Sequence, residues 1–362
     1  MGEDAVQAKP RDRALDALRG LAIFGMVLAN MQGSEKDAFA FIRHAEWNGI
    51  TVADLVFPLF LLAVGLALPL TFDGKTPRPS IAKIVRRSAL LWLIGFAIGF
   101  SVHPSVHLAD IRFTGVLERI GIVYLICALI CRETKSWRAP LGIGFGLMAV
   151  HGILLLSPAP DGPASMAPGE GVSAWLDRAI LGGTRMYGKI FDPEGPLSTL
   201  SSIATTLLGI AAQRITMRSK IPNGALVAMA LILDALAVGA IALWPLNKAL
   251  WTPSFALANA AFGLALLAAL KVTWKWIGES APMRLTERLG QLALTLYVVH
   301  SVLTVVCIMP IAGTTIWGKA YGALTMVGLP LDWTSLLFSV IAGGLSILIT
   351  FALAKRGWVL RV

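Results

Sequence analysis

The stretch "RHAEWNGITVADLVFP", residues 43–58, sets a titratable cluster just ahead of a hydrophobic run and carries a carboxylate, Asp54, into that run. An imidazole that titrates near neutral pH can serve as general base or transient nucleophile, and a nearby carboxylate can fix its tautomer. His44 is the candidate for the first role, Asp54 or Glu46 for the second. Asn30 or Asn48 could supply an amide donor to a tetrahedral oxyanion, a contact worth about 3–4 kcal/mol where such donors have been removed. A lone loop histidine is more often inert. Here the company of Glu46, Asn48 and Asp54 argues for chemistry.

Other charged residues in apolar surroundings widen the candidate set, because ionisable groups inside a bilayer are costly and usually face a bundle interior or a watery path. Asp16 and Arg19 in "RDRALDALRGLAIFGMVLAN" are three apart and share a helix face; Asn30 lies about 20° off that face. A structural ion pair with an interfacial Asn explains the same pattern. Arg112, Glu118 and Arg119 open the run around 113–131, with Glu118 and Arg119 on different sides, each needing its own partner. Asp192 and Glu194 precede the next run in "FDPEGPLSTL", where the acids could equally be solvated and Ser198 could cap the helix. His300 sits deep in "LTLYVVHSV", where a buried neutral histidine is the plain alternative, and Asp234 lies mid-run, where pairing across helices is expected. The spacing of His103, His107 and Asp110 imitates a metal site, but Pro104 argues against a helix presenting both imidazoles, so no metal is expected. Glycine-rich "GIGFGLMAVHG" falls within an apolar run, where Gly favours close helix packing rather than phosphate binding.

These residues need a scaffold, and the composition decides its class. The chain has 362 residues, 56% hydrophobic and only 14% charged, and its mean hydropathy is +0.73. Soluble domains carry about 25% charged residues. Apolar runs of about 20 residues recur along the whole length, enough for a helix to cross hydrocarbon. The expectation is an all-α, polytopic integral-membrane helical bundle. Ten helices are predicted, at about 15–32, 51–72, 82–102, 113–131, 139–156, 197–213, 223–243, 254–276, 286–309 and 333–354. Nearly every Trp, including Trp47 and Trp251, falls at or beyond a predicted span end, as amphipathic indoles prefer; Trp92 is interior. Most of the 31 Lys and Arg gather on one set of ends, which places both termini in the cytosol. The net charge of +10 then describes topology, and no nucleic-acid partner is expected. The chain divides into a cytosolic tail (1–14), one membrane domain (15–354) with a long extracytoplasmic loop (157–196), and a second tail (355–362). "SAWLDRAIL" predicts an ordered helix within that loop. The N-terminus lacks the features of a secretory signal; Cys127, Cys131 and Cys307 cannot make a disulfide framework, and Cys127 and Cys131, one helical turn apart, read as reduced packing residues.

In order, "RALDALRGLAIFGMVLAN", "HAEWNGITVADLVFPLFLLAVG", "RFTGVLERIGIVY", "AWLDRAILGG…DPEG" and "WPLNKALW" resemble the heparan-α-glucosaminide N-acetyltransferase family and its bacterial relatives, over roughly residues 13–310. The resemblance implies transmembrane acetylation: cytosolic acetyl-CoA, as co-substrate, donates to the amine of a glucosamine-like acceptor on the far side. It implies a catalytic role for His44, polar companions at Asn30 and Asp54, and further motif positions at Asp192, Glu194, Asn247 and Lys248. Trp47, Arg112, Glu118, Arg119 and His300 join these as candidate acceptor-site residues. Asp16 and Arg19 could line the path to the donor, and Arg86/Arg87 or Arg284/Arg288 could hold its phosphates. Departures are Glu118 in place of glutamine, Asp234 without a counterpart, and no large N-terminal luminal domain, which turns the expected acceptor toward an envelope sugar or glycan at a bacterial inner membrane. The resemblance leaves room for a homodimer. Rival readings are a proton-coupled transporter or flippase using Asp54, Asp234 and His300 as a relay, and an O-acetyltransferase of an envelope glycan.

Overall fold

The computed structural model describes residues 12–74, 78–102, 111–311 and 313–360. Lys75, the His103/His107/Asp110 stretch and the charged residues of both extreme termini therefore lie outside the described residues. Within them the chain is helical almost throughout: α1 (Arg13–Asn30), α2 (Val52–Phe72), α3 (Ile81–Val102), α4 (Val116–Glu133), α5 (Arg138–Leu155), α6 (Gly171–Leu181), α7 (Pro196–Arg218), α8 (Pro222–Ala240), α9 (Pro253–Ile277), α10 (Ala281–Gln291), α11 (Ala293–Ile308), α12 (Ile316–Thr325) and α13 (Leu331–Lys355). Sequence punctuation sets many of these limits. Asp12 caps α1 by accepting from the Leu15 amide, and α7, α8, α9 and α10 each begin with proline in the first turn, where its missing N–H costs nothing.

The expected runs reappear within a few residues, with three differences. The ninth run, 286–309, is two helices: α10 and α11 meet at Leu292 with an 80° bend. The segment after α11 forms a short antiparallel hairpin (Pro310–Ile311 with Thr314–Thr315) and α12, neither foreseen in the sequence. By length and apolarity, five described helices (α2, α5, α8, α9, α13) can cross a membrane, or six with the bent pair. Among the others, α1, α4 and α7 bury charges or hydroxyls against protein. Helix α7 is the clearest case, with Ser198, Ser201, Ser202, Thr205 and Thr206 all buried and α2 and α5 as its main neighbours. Its Thr206 hydroxyl donates to the Leu61 carbonyl of α2 at 3.0 Å.

α1 and α10 cross at backbone contact. A Cβ on Gly20 would meet the Thr286 carbonyl oxygen at 1.8 Å, and one on Gly290 the Asp16 carbonyl oxygen at 1.7 Å. Only glycine permits that approach. Arg13 fastens the same pair by donating to Glu287 at 3.0 Å. Trp251 departs from its expected place at a membrane interface. It is 1% exposed, wedged between Phe57 and Phe255, with a positive φ of 51° that non-glycine residues rarely adopt.

Candidate functional site

The loop between α1 and α2 folds back onto the head of α2, and Asp54 organises it. Thr51 precedes the helix; its backbone N–H and hydroxyl both donate to Asp54 Oδ2, at 3.1 and 3.0 Å, and the Ala45 amide adds a third donor at 3.0 Å. The other oxygen, Oδ1, faces His44 Nδ1 at 2.7 Å. An ionised carboxylate only accepts, so Nδ1 carries the proton and Nε2 keeps its lone pair. Asp54 is 1% exposed, whereas the His44 side chain is 43% exposed and open to an incoming molecule.

The loop between α8 and α9 completes the group. Asn48 and Asn247 form an isolated antiparallel bridge, and the Gly49 amide donates to the Leu246 carbonyl at 2.7 Å. Gly49 has φ +123°, a backbone shape that favours glycine. The Asn247 amide donates to the Trp47 carbonyl and to Asn48 Oδ1, both at 3.0 Å, while its own oxygen accepts from the Leu250 amide. This knot holds Lys248 over the pair: Nζ lies 3.0 Å from His44 Nδ1, 3.3 Å from Nε2 and 3.4 Å from Asp54 Oδ1. Burial lowers the Lys248 pKa, and the charges of Asp54 and Glu194 oppose that only in part. Trp47 is spent on structure, donating to the Met166 carbonyl and stacking edge-on against Phe191.

A second ionic group lies alongside. Arg112 grips Asp192 with two hydrogen bonds, 2.8 and 2.6 Å, and reaches Glu194 as well. Burial pulls the guanidinium down, but the two acids outweigh it and raise its pKa. Burial likewise pushes the Asp192 carboxyl up, and Arg112 with the Thr114 hydroxyl overrides it, leaving the group below the usual carboxylate range. Asp177 of α6 accepts from the Asp192 amide at 3.0 Å, while its Oδ1 is buried without a hydrogen-bond partner among the described residues; burial raises its pKa to about 7. Arg119 is 2% exposed and donates to Ser198, Ser202 and the Pro193 and Gly195 carbonyls, with its guanidinium 5.2 Å from the Trp251 ring. Ser198 thus serves Arg119 instead of capping α7, whose first turn has no side-chain cap.

A cavity of about 330 Å³ opens among α1, α2, α3, α4, α10 and α11. Arg19, Arg87, Tyr124 and Gln291 give it a basic, polar end; Met26, Phe60, Val64, Leu117 and Tyr297 give it an apolar depth. Arg87 lies over the Tyr124 ring at 4.7 Å, and Arg19 pairs with Asp16 at 3.2 Å. Asp54 and Phe60 are six residues apart on α2, about 9 Å of helical rise.

The structure therefore joins His44, Asp54, Asn48, Asn247 and Lys248 in one group, and Arg112, Asp192 and Glu194 in another. Glu46 is exposed, and Asn30 ends α1 exposed, with no hydrogen bond to the His44 group among the described residues. Glu118 is buried against Gly95 and Gly115. His300 is buried, with Nδ1 3.2 Å from the Leu296 carbonyl of its own helix. Asp234 lies on the exposed side of α8 instead of pairing across helices, and no hydrogen bond among the described residues links Asp54, Asp234 and His300 into a relay. Of the donor-site arginines, Arg87 lines the cavity, while Arg86, Arg284 and Arg288 are exposed outside it. No group of three or more His, Cys, Asp or Glu among the described residues could hold a metal ion. Asp177 and His151, whose Nδ1 lies 2.5 Å from the Ser201 hydroxyl, were not singled out in the sequence. An acid within the expected helix "SAWLDRAIL" was the available hint.

Residues 11–168 match the family model described as heparan-alpha-glucosaminide N-acetyltransferase, catalytic. This stretch, under half of the chain, is similar to that family's catalytic region. It contains His44, Asp54, Arg87 and Arg112, and ends before Asp192 and Lys248. The human (Homo sapiens) heparan-alpha-glucosaminide N-acetyltransferase is 28% identical over 326 residues, covering 72% of this chain, and the mouse (Mus musculus) protein is 28% identical over 325 residues, covering 71%. The chain spans about half the length of these relatives, 48% of each. The family match begins two residues before the expected stretch of resemblance, and the relatives, covering 72% and 71% of the chain, carry the likeness beyond residue 168.

Proposed function

We propose that the protein is a transmembrane acetyltransferase that moves the acetyl group of cytosolic acetyl-CoA to an amino sugar on the other side of the membrane, with ten spans and both termini in the cytosol. One observation carries the reading. A proton-accepting histidine, oriented by a buried carboxylate, stands on the same helix head whose next turns line a cavity with a basic mouth and an apolar depth. The cavity suits a phosphate-bearing donor with a slim, mostly apolar arm. Arg19 and Arg87 would hold the phosphates, and Phe60, Val64 and Leu117 would guide the arm toward Asp54. The names of the human and mouse relatives supply the acetyl group and the glucosamine.

His44 Nε2 takes a proton from the acceptor amine, which makes nitrogen nucleophilic toward the thioester. Asp54 holds Nδ1–H and stabilises the imidazolium that forms, as carboxylates do in other His-based acyl-transfer sites. Asn48 spends its carbonyl oxygen on Asn247, so its exposed amide NH₂ remains to donate to the tetrahedral oxyanion. Arg112, Asp192 and Glu194 brace the outer wall against which the sugar would rest. Purified protein with labelled acetyl-CoA should release CoA only when an amino sugar is present. His44→Ala should abolish that release without loss of expression, and Arg87→Ala should raise KM for acetyl-CoA. Full activity in His44→Ala would refute the assignment, acceptor movement without CoA release would favour transport, and an alkali-labile product would mean O-acetylation.

A further inference from the structure

Lys248 is an amine held at the place where the acceptor amine has to react. Its Nζ lies 3.3 Å from His44 Nε2, the atom assigned as proton acceptor, and 3.4 Å from Asp54 Oδ1. Both contacts are slightly longer than the working reach of a base on its substrate, as such contacts often are before the substrates bind. The ammonium can only donate, and of the two ring nitrogens it reaches, Nδ1 at 3.0 Å and Nε2 at 3.3 Å, only Nε2 has a free lone pair to accept. Three features of the loop hold it there: the Asn48–Asn247 bridge, the contact of Gly49 with Leu246, and the Asn247 side-chain hydrogen bonds. The side chain is 24% exposed, so the amine borders the same opening through which an acceptor would reach His44.

We infer that Lys248 is a self-acetylation site: with donor bound and no acceptor present, the His44–Asp54 pair directs the acetyl group onto Lys248 Nζ. The inference rests on the acetyl-transfer reading above and adds a covalent modification to it. One ammonium proton passes to His44 Nε2 and on to solvent. The nitrogen attacks the thioester carbonyl, forming a C–N bond. Collapse of the adduct breaks the C–S bond, and the second nitrogen proton ends on the departing thiolate. The products are Nε-acetyl-Lys248, CoA and one proton, with no oxidant or further reactant. Burial of Lys248, which lowers the cost of losing that first proton, works in the same direction. The acetylated side chain no longer carries a cation beside Asp54 and fills the acceptor's place with an amide. Self-acetylation therefore slows turnover when acceptor is scarce.

The test uses the full chain in detergent or nanodiscs with isotopically labelled acetyl-CoA, read by intact and peptide mass spectrometry, alongside acceptor acetylation in the same preparation. One acetyl per chain should build up on the peptide carrying Lys248. Label there should fall at least tenfold in His44→Ala and vanish in Lys248→Arg, and excess glucosamine should slow its appearance. Turnover of acceptor with no label on Lys248 would overturn the inference while leaving the acetyl-transfer reading intact. Label undiminished in His44→Ala, or spread evenly over exposed Lys319 and Lys355, would also overturn it, since that is chemistry without the site. Neither turnover nor label would overturn both.

Discussion

Replacing Asp54 by asparagine separates holding the loop from steering the histidine. The carboxylate does both, with one oxygen for each. Oδ2 accepts from the Ala45 amide, the Thr51 amide and the Thr51 hydroxyl, and Oδ1 faces His44 and Lys248. An asparagine can keep its carbonyl oxygen at the Oδ2 position, so all three loop hydrogen bonds survive. Its NH₂ then replaces Oδ1 and presents a donor to His44 Nδ1. The structural loss is the ion pair with Lys248 and the charge on the hydrogen bond to His44, about 1.5–3 kcal/mol for a charged contact, which a folded bundle tolerates. The chemical loss is larger. With Nδ1 obliged to accept, the ring proton moves to Nε2 and the base is blocked. The comparable carboxylate-to-amide change in a serine protease triad costs about 10⁴ in rate, about 5.5 kcal/mol of barrier. Asp54→Asn should therefore express and elute like the parent, lose only a few degrees of Tm, and show kcat for acetyl transfer lower by 10³- to 10⁴-fold with KM for acetyl-CoA little changed. Activity above a tenth of the parent would refute the tautomer argument. Loss of the folded peak would refute the division of labour between the two oxygens.

Arg112→Met strands Asp192 and Glu194, and losing one partner of a buried pair typically costs about 3–5 kcal/mol; thermal unfolding should show a large drop, with Arg112→Lys recovering part of it. Asp177 has a pKa raised to about 7, above its unfolded value near 4. Its contribution to stability is therefore present below pH 4 and lost as pH rises through 7. Tm should fall between pH 5 and pH 8, and Asp177→Asn should flatten that slope. Gly290→Val would drive a branched side chain into the Asp16 carbonyl and pry α10 from α1; it should cost at least the 1–3 kcal/mol typical of overpacking, lower Tm, and raise KM for acetyl-CoA, because Gly290 lines the cavity.

The long spans were legible because bilayer thickness writes itself into sequence as length and apolarity; α2, α9 and α13 fall within a few residues of expectation. His44 and Asp54 were legible as a pair for a related reason, since a carboxylate in an apolar run needs a partner and the partner lay ten residues away. Lys248 entered only through a motif likeness: its place over His44 depends on a bridge between loops 199 residues apart, which no local pattern encodes. The break at Leu292 was hidden because α10 and α11 read together as one helical run, while α10 is held to α1 by a glycine crossing between distant parts of the chain. Trp251 was misplaced because position at a helix end reads as interface, whereas Arg119 and the hydroxyls of α7 claim the indole for the interior. Its N–H donates to the Thr205 hydroxyl at 3.1 Å.

The hydroxyl-lined α7 also bears on how the chain is made. A helix with six buried Ser and Thr, and Arg214 near its end, gains little by entering hydrocarbon alone. Its main neighbours, α2 and α5, both precede it in the chain and are apolar enough to insert by themselves. By the time α7 leaves the ribosome, the Leu61 carbonyl that receives Thr206 and the Asp73 carboxylate that receives Arg214 are already synthesised. Chain order thus doubles as an assembly order, in which the early greasy helices build the pocket that lets a polar one stay in the membrane.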